Sequence, residues 1–177
     1  MPPESHKSCI RTTALRAAAC AAMLALFACL SGPLGVAQAA DGPFQDFDGA
    51  WSGSGKITMK DGTDESIRCR VNYMITESGR LLSQDLRCAS DSYKFELQTT
   101  VAHSNGTISG QWNETTRSVV GSISGRLSGG EIAAIATSAA FTANLAISTR
   151  GNQQSISIKS PGSEVSEVSM TLRRGAR

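Results

Sequence analysis

Apolar and polar residues alternate along most of the chain after residue 40, in short runs separated by turn dipeptides. In one run the apolar parity comprises Ile67, Cys69, Val71, Tyr73 and Ile75. A period of two is typical of β-strands that are buried on one face. Turn signals such as Asn105-Gly106, which favours a tight type I′ hairpin, follow these runs at regular spacing. The pattern therefore predicts strands and short hairpins.

The spacing of the turns predicts nine or ten strands in one domain over residues 40–177. We expect them to start near Trp51, Ser66, Leu81, Tyr93, Thr107, Val119, Glu131, Phe141, Ser155 and Val165. Consecutive short hairpins give an antiparallel up-and-down meander. Because closing a sheet removes its exposed edges, we expect an all-β barrel.

The first 39 residues have the composition of a secretory signal peptide. Basic residues precede an apolar run over 17–30, and Ala37-Gln38-Ala39 offers the small residues that a signal peptidase requires. About 14 apolar residues are fewer than the roughly 20 that span a bilayer, so we expect cleavage after Ala39 and no integral membrane span. Lipidation at Cys29, which follows Leu26-Phe27-Ala28, is the alternative. The predicted location is the periplasm.

Removal of this leader changes the charge and the cysteine count. The leader carries three of the 17 basic residues and one of the 15 acidic residues, so 14 of each remain. A neutral chain with two tryptophans and two tyrosines gives no support to nucleic-acid binding. Three of the five cysteines also leave, so Cys69 and Cys88 remain as one pair in an oxidising compartment.

The second hairpin predicts how these two cysteines meet. If Ser78-Gly79 centres the turn, the numbers of facing residues sum to 157, which places Cys69 opposite Cys88. Such a bridge closes a loop of about 20 residues and contributes on the order of 3 kcal/mol in the chain-entropy model. Without a Cys-x-x-Cys arrangement, we expect a structural disulfide and not a redox-active one.

The side chains that we expect to point into the barrel differ in size between the earlier and the later strands. Later strands offer small residues, namely Gly110, Gly121, Gly125, Ala134, Ala136, Ser138 and Ala143, whereas earlier strands offer large ones. A barrel of nine or ten strands has a wide interior, so two outcomes are open. Either a cavity remains that binds a lipid or another apolar small molecule, or large side chains cross the interior and fill it. The large residues that we expect on the wall of such a cavity are Trp51, Tyr73, Phe95 and Trp112.

On the outward parity, three basic residues form a candidate anion contact. A sum of 157 in the second hairpin, and of 181 across the third turn, places Arg70, Arg87 and Lys94 side by side. The alternative is a salt-bridged outer face, with Arg87 diagonal to Glu96 and Lys94 diagonal to Asp85. The sharper hypothesis is contact with an anion or a lipid headgroup.

No pattern indicates catalysis, a metal site or a cofactor. His6 leaves with the leader, and the remaining His103 lies beside a hairpin turn. The chain has no Gly-x-Ser-x-Gly elbow, His-Glu-x-x-His helix or Walker loop. One histidine and an oxidised cysteine pair do not build a zinc site. We therefore expect no catalytic residue and a protein that is not an enzyme.

Three segments carry a resemblance to known proteins. The segment 47–55, FDGAWSGSG, together with Arg68-Cys69-Arg70 and the segment 87–93, RCASDSY, resembles a group of small exported β-proteins of Gram-negative bacteria. That resemblance implies export but no activity. Gly49-Ala50-Trp51 is similar to the Gly-x-Trp opening of lipocalins, which implies that Trp51 closes the barrel floor.

Two function classes follow from these features. The first is a non-catalytic periplasmic protein that binds an apolar or amphipathic envelope molecule in its barrel. The second is an envelope-stability protein or a hydrolase inhibitor that acts through its loops and outer face on an unknown protein partner. A filled barrel would favour the second class.

Overall fold

The computed structural model describes residues 42–175, which form a closed antiparallel barrel of ten strands. The strands are β1 (Gly49–Met59), β2 (Asp64–Thr76), β3 (Leu81–Ala89), β4 (Lys94–Ser104), β5 (Thr107–Glu114), β6 (Val119–Ser128), β7 (Glu131–Ser138), β8 (Thr142–Arg150), β9 (Gln153–Lys159) and β10 (Val165–Arg174). Each strand starts within two residues of its predicted position. The signal peptide and the alternative lipidation at Cys29 lie outside the described residues.

Sequence neighbours pair around the whole barrel, and β1 closes it by pairing with both β2 and β10. The up-and-down barrel is thus confirmed. Inward residues are buried and outward residues exposed along most strands, as the period of two requires. Within the described part of the chain, no helix is long and apolar enough to cross a membrane.

A short segment before β1 closes one end of the barrel, which we call the floor. A 3-10 helix over Gln45–Phe47 lies there, and Phe44 and Phe47 are fully buried. The Phe44 N–H donates to the carbonyl of Gly79 in the β2–β3 turn (3.0 Å). The indole N–H of Trp51 donates to the carbonyl of Phe47 (2.7 Å). Trp51 therefore anchors the floor, as the lipocalin resemblance implies.

The opposite end, which we call the mouth, is formed by the β1–β2, β3–β4, β5–β6, β7–β8 and β9–β10 connections. Because an up-and-down barrel places alternate turns at alternate ends, none of these five connections reaches the floor.

The register of the second hairpin confirms the predicted disulfide. Cys69 faces Cys88, their Cα atoms are 4.2 Å apart, and a disulfide joins them. So short a separation is typical of a non-hydrogen-bonded pair. Glu77, Ser78 and Gly79 all adopt positive φ, which confines the reversal to a four-residue loop.

The predicted register of the third hairpin is wrong by two residues. Facing residues there sum to 183, so Arg87 faces Glu96 and Lys94 faces Ala89. Ser90 causes the difference, because its backbone N–H and its hydroxyl both donate to the Tyr93 carbonyl and draw Tyr93 into the loop. A shift of two keeps each side chain on its face. It removes Lys94 from the row of Arg70 and Arg87.

Candidate ligand cavity

An apolar cavity of about 350 Å³ lies inside the barrel. It runs from Phe47 and Tyr73 at the floor to Tyr93, Arg117 and Glu164 at the mouth. Most of its lining is aliphatic or aromatic. This volume falls within the range of about 300–1,000 Å³ that is usual for small-molecule sites.

Three of the four expected wall residues line this cavity. Tyr73, Phe95 and Trp112 do so, whereas Trp51 lies below it in the floor. Their part in binding a ligand stays a prediction. Sequence reasoning missed Phe44 and Phe47, which also line the cavity. Both precede β1, so the alternating pattern carries no signal for them.

The small inward residues divide into two groups. Gly121 leaves no free space, because a Cβ there would lie 2.5 Å from the Trp112 indole and 2.2 Å from the Thr137 carbonyl. Trp112 therefore fills the interior at that point. Ala136 and Ala143, by contrast, line the cavity. Both outcomes that the sequence left open are thus present, in different parts of the barrel.

A short chain of buried polar groups crosses the interior near the floor. The Tyr73 hydroxyl donates to Oε1 of Gln154 (2.9 Å), and Nε2 of Gln154 donates to the Thr149 hydroxyl (2.9 Å). Burial raises the pKa of Tyr73 above its ordinary value, and the bond to Gln154 only partly opposes this. The Tyr73 hydroxyl therefore stays protonated and serves as a donor.

Charged groups concentrate at the mouth. The guanidinium of Arg117 lies 4.4 Å from the centroid of the Tyr93 ring and 3.7 Å from a carboxylate oxygen of Glu114. Its Nη1 donates to the carbonyl of Lys94 (3.2 Å). These contacts hold a cationic side chain beside the opening of an apolar cavity. The arrangement suits a molecule with an apolar body and a polar end.

Partial burial acts to raise the pKa of Glu114, but hydrogen bonds outweigh it and lower that pKa below its ordinary value. The donors are the hydroxyl and N–H of Thr116 and the N–H groups of Glu96 and Arg117. Glu114 is thus a carboxylate that orders the β5–β6 loop.

The structure does not place the three basic residues of the predicted anion contact in one row. Arg70 and Arg87 face each other on the outer surface, and Arg87 contacts Asp85 at 3.5 Å. Lys94 contacts Glu96 at 3.9 Å in another row. Barrel closure instead places Arg173 in the row of Arg70, with Ser52 between them.

Within residues 42–175, no group of histidine, cysteine, aspartate or glutamate side chains could hold a metal ion. His103 does not line the cavity. Its Nε2 accepts from the backbone N–H of Gly106 (3.1 Å), and its ring lies 6.2 Å from that of Phe44. The residue is therefore part of a hairpin that supports the floor.

The sequence matches no protein-family model and no curated protein. Solved structures match it in fold. Rv2717c from M. tuberculosis superposes with a TM-score of 0.60 at 11% identity, over 74% of this chain and 94% of that chain. The S-type phycobiliprotein lyase CPES from Guillardia theta superposes with a TM-score of 0.51 at 10% identity, over 76% of this chain and 92% of that chain.

At such low identity the likeness defines the fold alone. The protein has a closed up-and-down barrel with ten strands, and the two solved structures are similar to it in fold. The lipocalin resemblance of Gly49-Ala50-Trp51 thus agrees with the structure in the up-and-down barrel, which has ten strands where lipocalins have eight. The resemblance to small exported proteins stays a prediction.

Proposed function

We propose that the protein is a non-catalytic periplasmic carrier that binds an apolar or amphipathic envelope molecule in its barrel. The observation that carries this proposal is the 350 Å³ apolar cavity, closed at the floor and lined by exposed polar residues at the mouth. Burial of an apolar ligand in such a space removes apolar surface from water, which is favourable. The alternative role through protein contacts has less support, because that role predicts a filled barrel.

The absence of an enzymatic role is part of the proposal. The hydroxyl of Tyr73 donates to Gln154, and Glu114 accepts four hydrogen bonds, three from the β5–β6 loop and one from Glu96 in β4. Nucleophilic catalysis requires a nucleophile with an adjacent base. The hydroxyl that donates to Glu114 belongs to Thr116, which is exposed and does not line the cavity.

The cavity is tested by filling it. We choose N-phenyl-1-naphthylamine, a neutral apolar probe whose fluorescence rises in apolar surroundings. Ala136→Phe places a ring in the cavity, whereas Ala133→Phe places the same ring on the exposed face of the same strand. We expect Ala136→Phe to weaken probe binding about tenfold or more, equivalent to about 1.4 kcal/mol, and Ala133→Phe to leave it unchanged.

A second filling variant protects this test against misfolding. Ala143→Leu also narrows the cavity, with the exposed Ala146→Leu as its control. Circular dichroism confirms that all four variants fold. Equal probe affinity in the filled and control variants, or no saturable binding at all, would contradict the carrier function.

Export is tested separately on the full chain. Cell fractionation and the mass of the accumulated protein locate it and its first residue. We expect a periplasmic protein that begins at Ala40, with the disulfide formed there by the oxidising compartment. A cytoplasmic protein that retains residues 1–39 would exclude the location without excluding the cavity.

A further inference from the structure

The outer face of β10, β1, β2 and β3 carries a cluster of arginines that barrel closure assembles. Pairing across four strands gives one row with Arg173, Ser52, Arg70 and Arg87, in that order. The adjacent row contains Arg68, which faces Ser54. We name Arg68, Arg70, Arg87 and Arg173 the arginine face.

Most of the charge on this face has no compensation. Arg87 is paired with Asp85, but Arg68, Arg70 and Arg173 form no ion pair with any residue in 42–175. All four side chains are exposed. Arg70 and Arg87 face each other, and like charges in facing positions destabilise a sheet. The arrangement carries a cost in the free protein that an anionic partner would remove.

We propose that the arginine face docks on the surface of an anionic phospholipid bilayer. Guanidinium groups bind phosphate oxygens by paired hydrogen bonds, and basic residues near an anionic membrane are attracted to it. Adjacent strands are about 4.8 Å apart, so the row from Arg173 to Arg87 spans about 14 Å. An exposed array of this width meets several headgroups at once and does not enclose a single free phosphate.

The neighbours of the arginines favour a membrane over a protein partner. Glu96 faces Arg87 and Gln153 faces Arg173, and the remaining outward neighbours on the flanking strands are the small, exposed Ser52, Ser54, Thr171 and Ala89. Protein interfaces have an apolar or aromatic centre, which these small side chains do not provide. Attraction to this face is therefore electrostatic, as for a polar headgroup layer.

The outer face of β7 and β8 sharpens the contrast. The middle of β7 and β8 presents Ala133, Ile135, Asn144 and Ala146, none of which is charged. The chain after the predicted leader has no net charge, so attraction to a membrane depends on how charge is distributed. The arginine face therefore gives the barrel a preferred side.

The test is sedimentation of the protein, purified from cells that express the full chain, with sucrose-loaded vesicles. Vesicles of equimolar phosphatidylglycerol and phosphatidylcholine are compared with phosphatidylcholine alone at low salt. We expect the protein to bind the anionic vesicles only. We also expect added sodium chloride to abolish this binding, because the Debye screening length falls to about 10 Å at 0.1 M salt. Equal binding to both vesicle types would overturn the proposal.

The matched variants remove three charges each. The triple variant Arg68→Gln, Arg70→Gln and Arg173→Gln is expected to weaken partitioning about a hundredfold, since each arginine contributes about fivefold. The control, Lys60→Gln, Arg80→Gln and Arg126→Gln, removes exposed cations outside the arginine face that also lack an ion pair. We expect it to bind almost as the parent does.

Three results would overturn the docking surface. In the first, the arginine variant partitions onto the vesicles as the parent does. In the second, the control variant loses as much partitioning as the arginine variant. In the third, inorganic phosphate displaces the protein from the vesicles more than sodium chloride of equal ionic strength does. The last result would indicate a discrete phosphate site. Circular dichroism and probe binding in the cavity establish that the variants are folded, and neither depends on the arginine face.

Discussion

The guanidinium of Arg174 lies 4.4 Å from the centroid of the Trp51 ring, at the point where the last strand meets the first. Its two terminal nitrogens also donate to the carbonyls of Asp46 and Asp48. One side chain thus joins the C-terminal end of β10, the tryptophan of β1 and the segment that closes the floor. The contact exists only because the barrel is closed.

We expect Arg174→Ala to lower the free energy of unfolding by about 2–4 kcal/mol, through loss of the cation–π contact and of two hydrogen bonds from a charged donor. Arg173→Ala is the matched control, because the neighbouring side chain is exposed and unpaired. It should change stability by less than about 0.5 kcal/mol. Urea unfolding followed by far-ultraviolet circular dichroism measures both, and equal losses would refute the role of Arg174.

The disulfide stabilises the β2–β3 hairpin. We expect reduction, or the double variant Cys69→Ala and Cys88→Ala, to lower the free energy of unfolding by about 3 kcal/mol, because the bridge spans 19 residues of sequence. Urea unfolding with and without dithiothreitol measures this. The parent should respond to the reductant and the double variant should not. If dithiothreitol is shown to free both thiols of the parent and its free energy of unfolding does not change, the stabilising role of the disulfide is contradicted.

Tyr73 and Tyr93 provide a matched pair for the buried polar chain. Tyr73→Phe leaves Oε1 of the fully buried Gln154 without its donor, so we expect a loss of about 1–3 kcal/mol. The Tyr93 hydroxyl forms no hydrogen bond with residues 42–175, so Tyr93→Phe should cost less than about 0.5 kcal/mol. Thermal unfolding ranks the two variants. The reverse order would show that the buried chain contributes little.

The carboxylate of Glu114 predicts a stability difference that depends on pH. Its pKa is lowered from an ordinary value of 4.5, so its contribution is present above about pH 4.5 and is lost as pH falls through the lower pKa of the folded protein. The side chain is only 12% exposed. We expect Glu114→Gln to lower the free energy of unfolding by about 1–2 kcal/mol at pH 7.

Urea unfolding at a series of pH values follows this difference. It should shrink as pH falls below 4.5 and vanish below the lowered pKa of the folded protein, where the parent also carries a neutral side chain at this position. Glu164→Gln, an exposed residue at the same mouth, is the control and should show little difference at any pH. A difference between parent and Glu114→Gln that does not change with pH would assign the effect to packing and not to charge.

Much of this architecture follows from local sequence. Alternating polarity determined the strands and their inward faces, because side chains along a strand point to opposite sides in turn. The Ser78-Gly79 turn determined the pairing of Cys69 with Cys88, because a tight hairpin leaves few possible registers. The next hairpin was missed by two residues, since the bonds of Ser90 to Tyr93 extend the loop in a way that dipeptide signals do not reveal.

Contacts between distant parts of the chain came from the tertiary structure alone. Nothing local indicates that Arg173 joins the row of Arg70, or that Arg174 covers Trp51, because both depend on the register in which β10 meets β1. The cavity likewise depends on how side chains from opposite walls share one volume, as Trp112 fills the space at Gly121 while Ala136 leaves space open. The sequence by itself determined the strands and their faces, because those depend on neighbours in the chain. Closure and packing decided the cavity and the arginine face, because those depend on which distant residues meet.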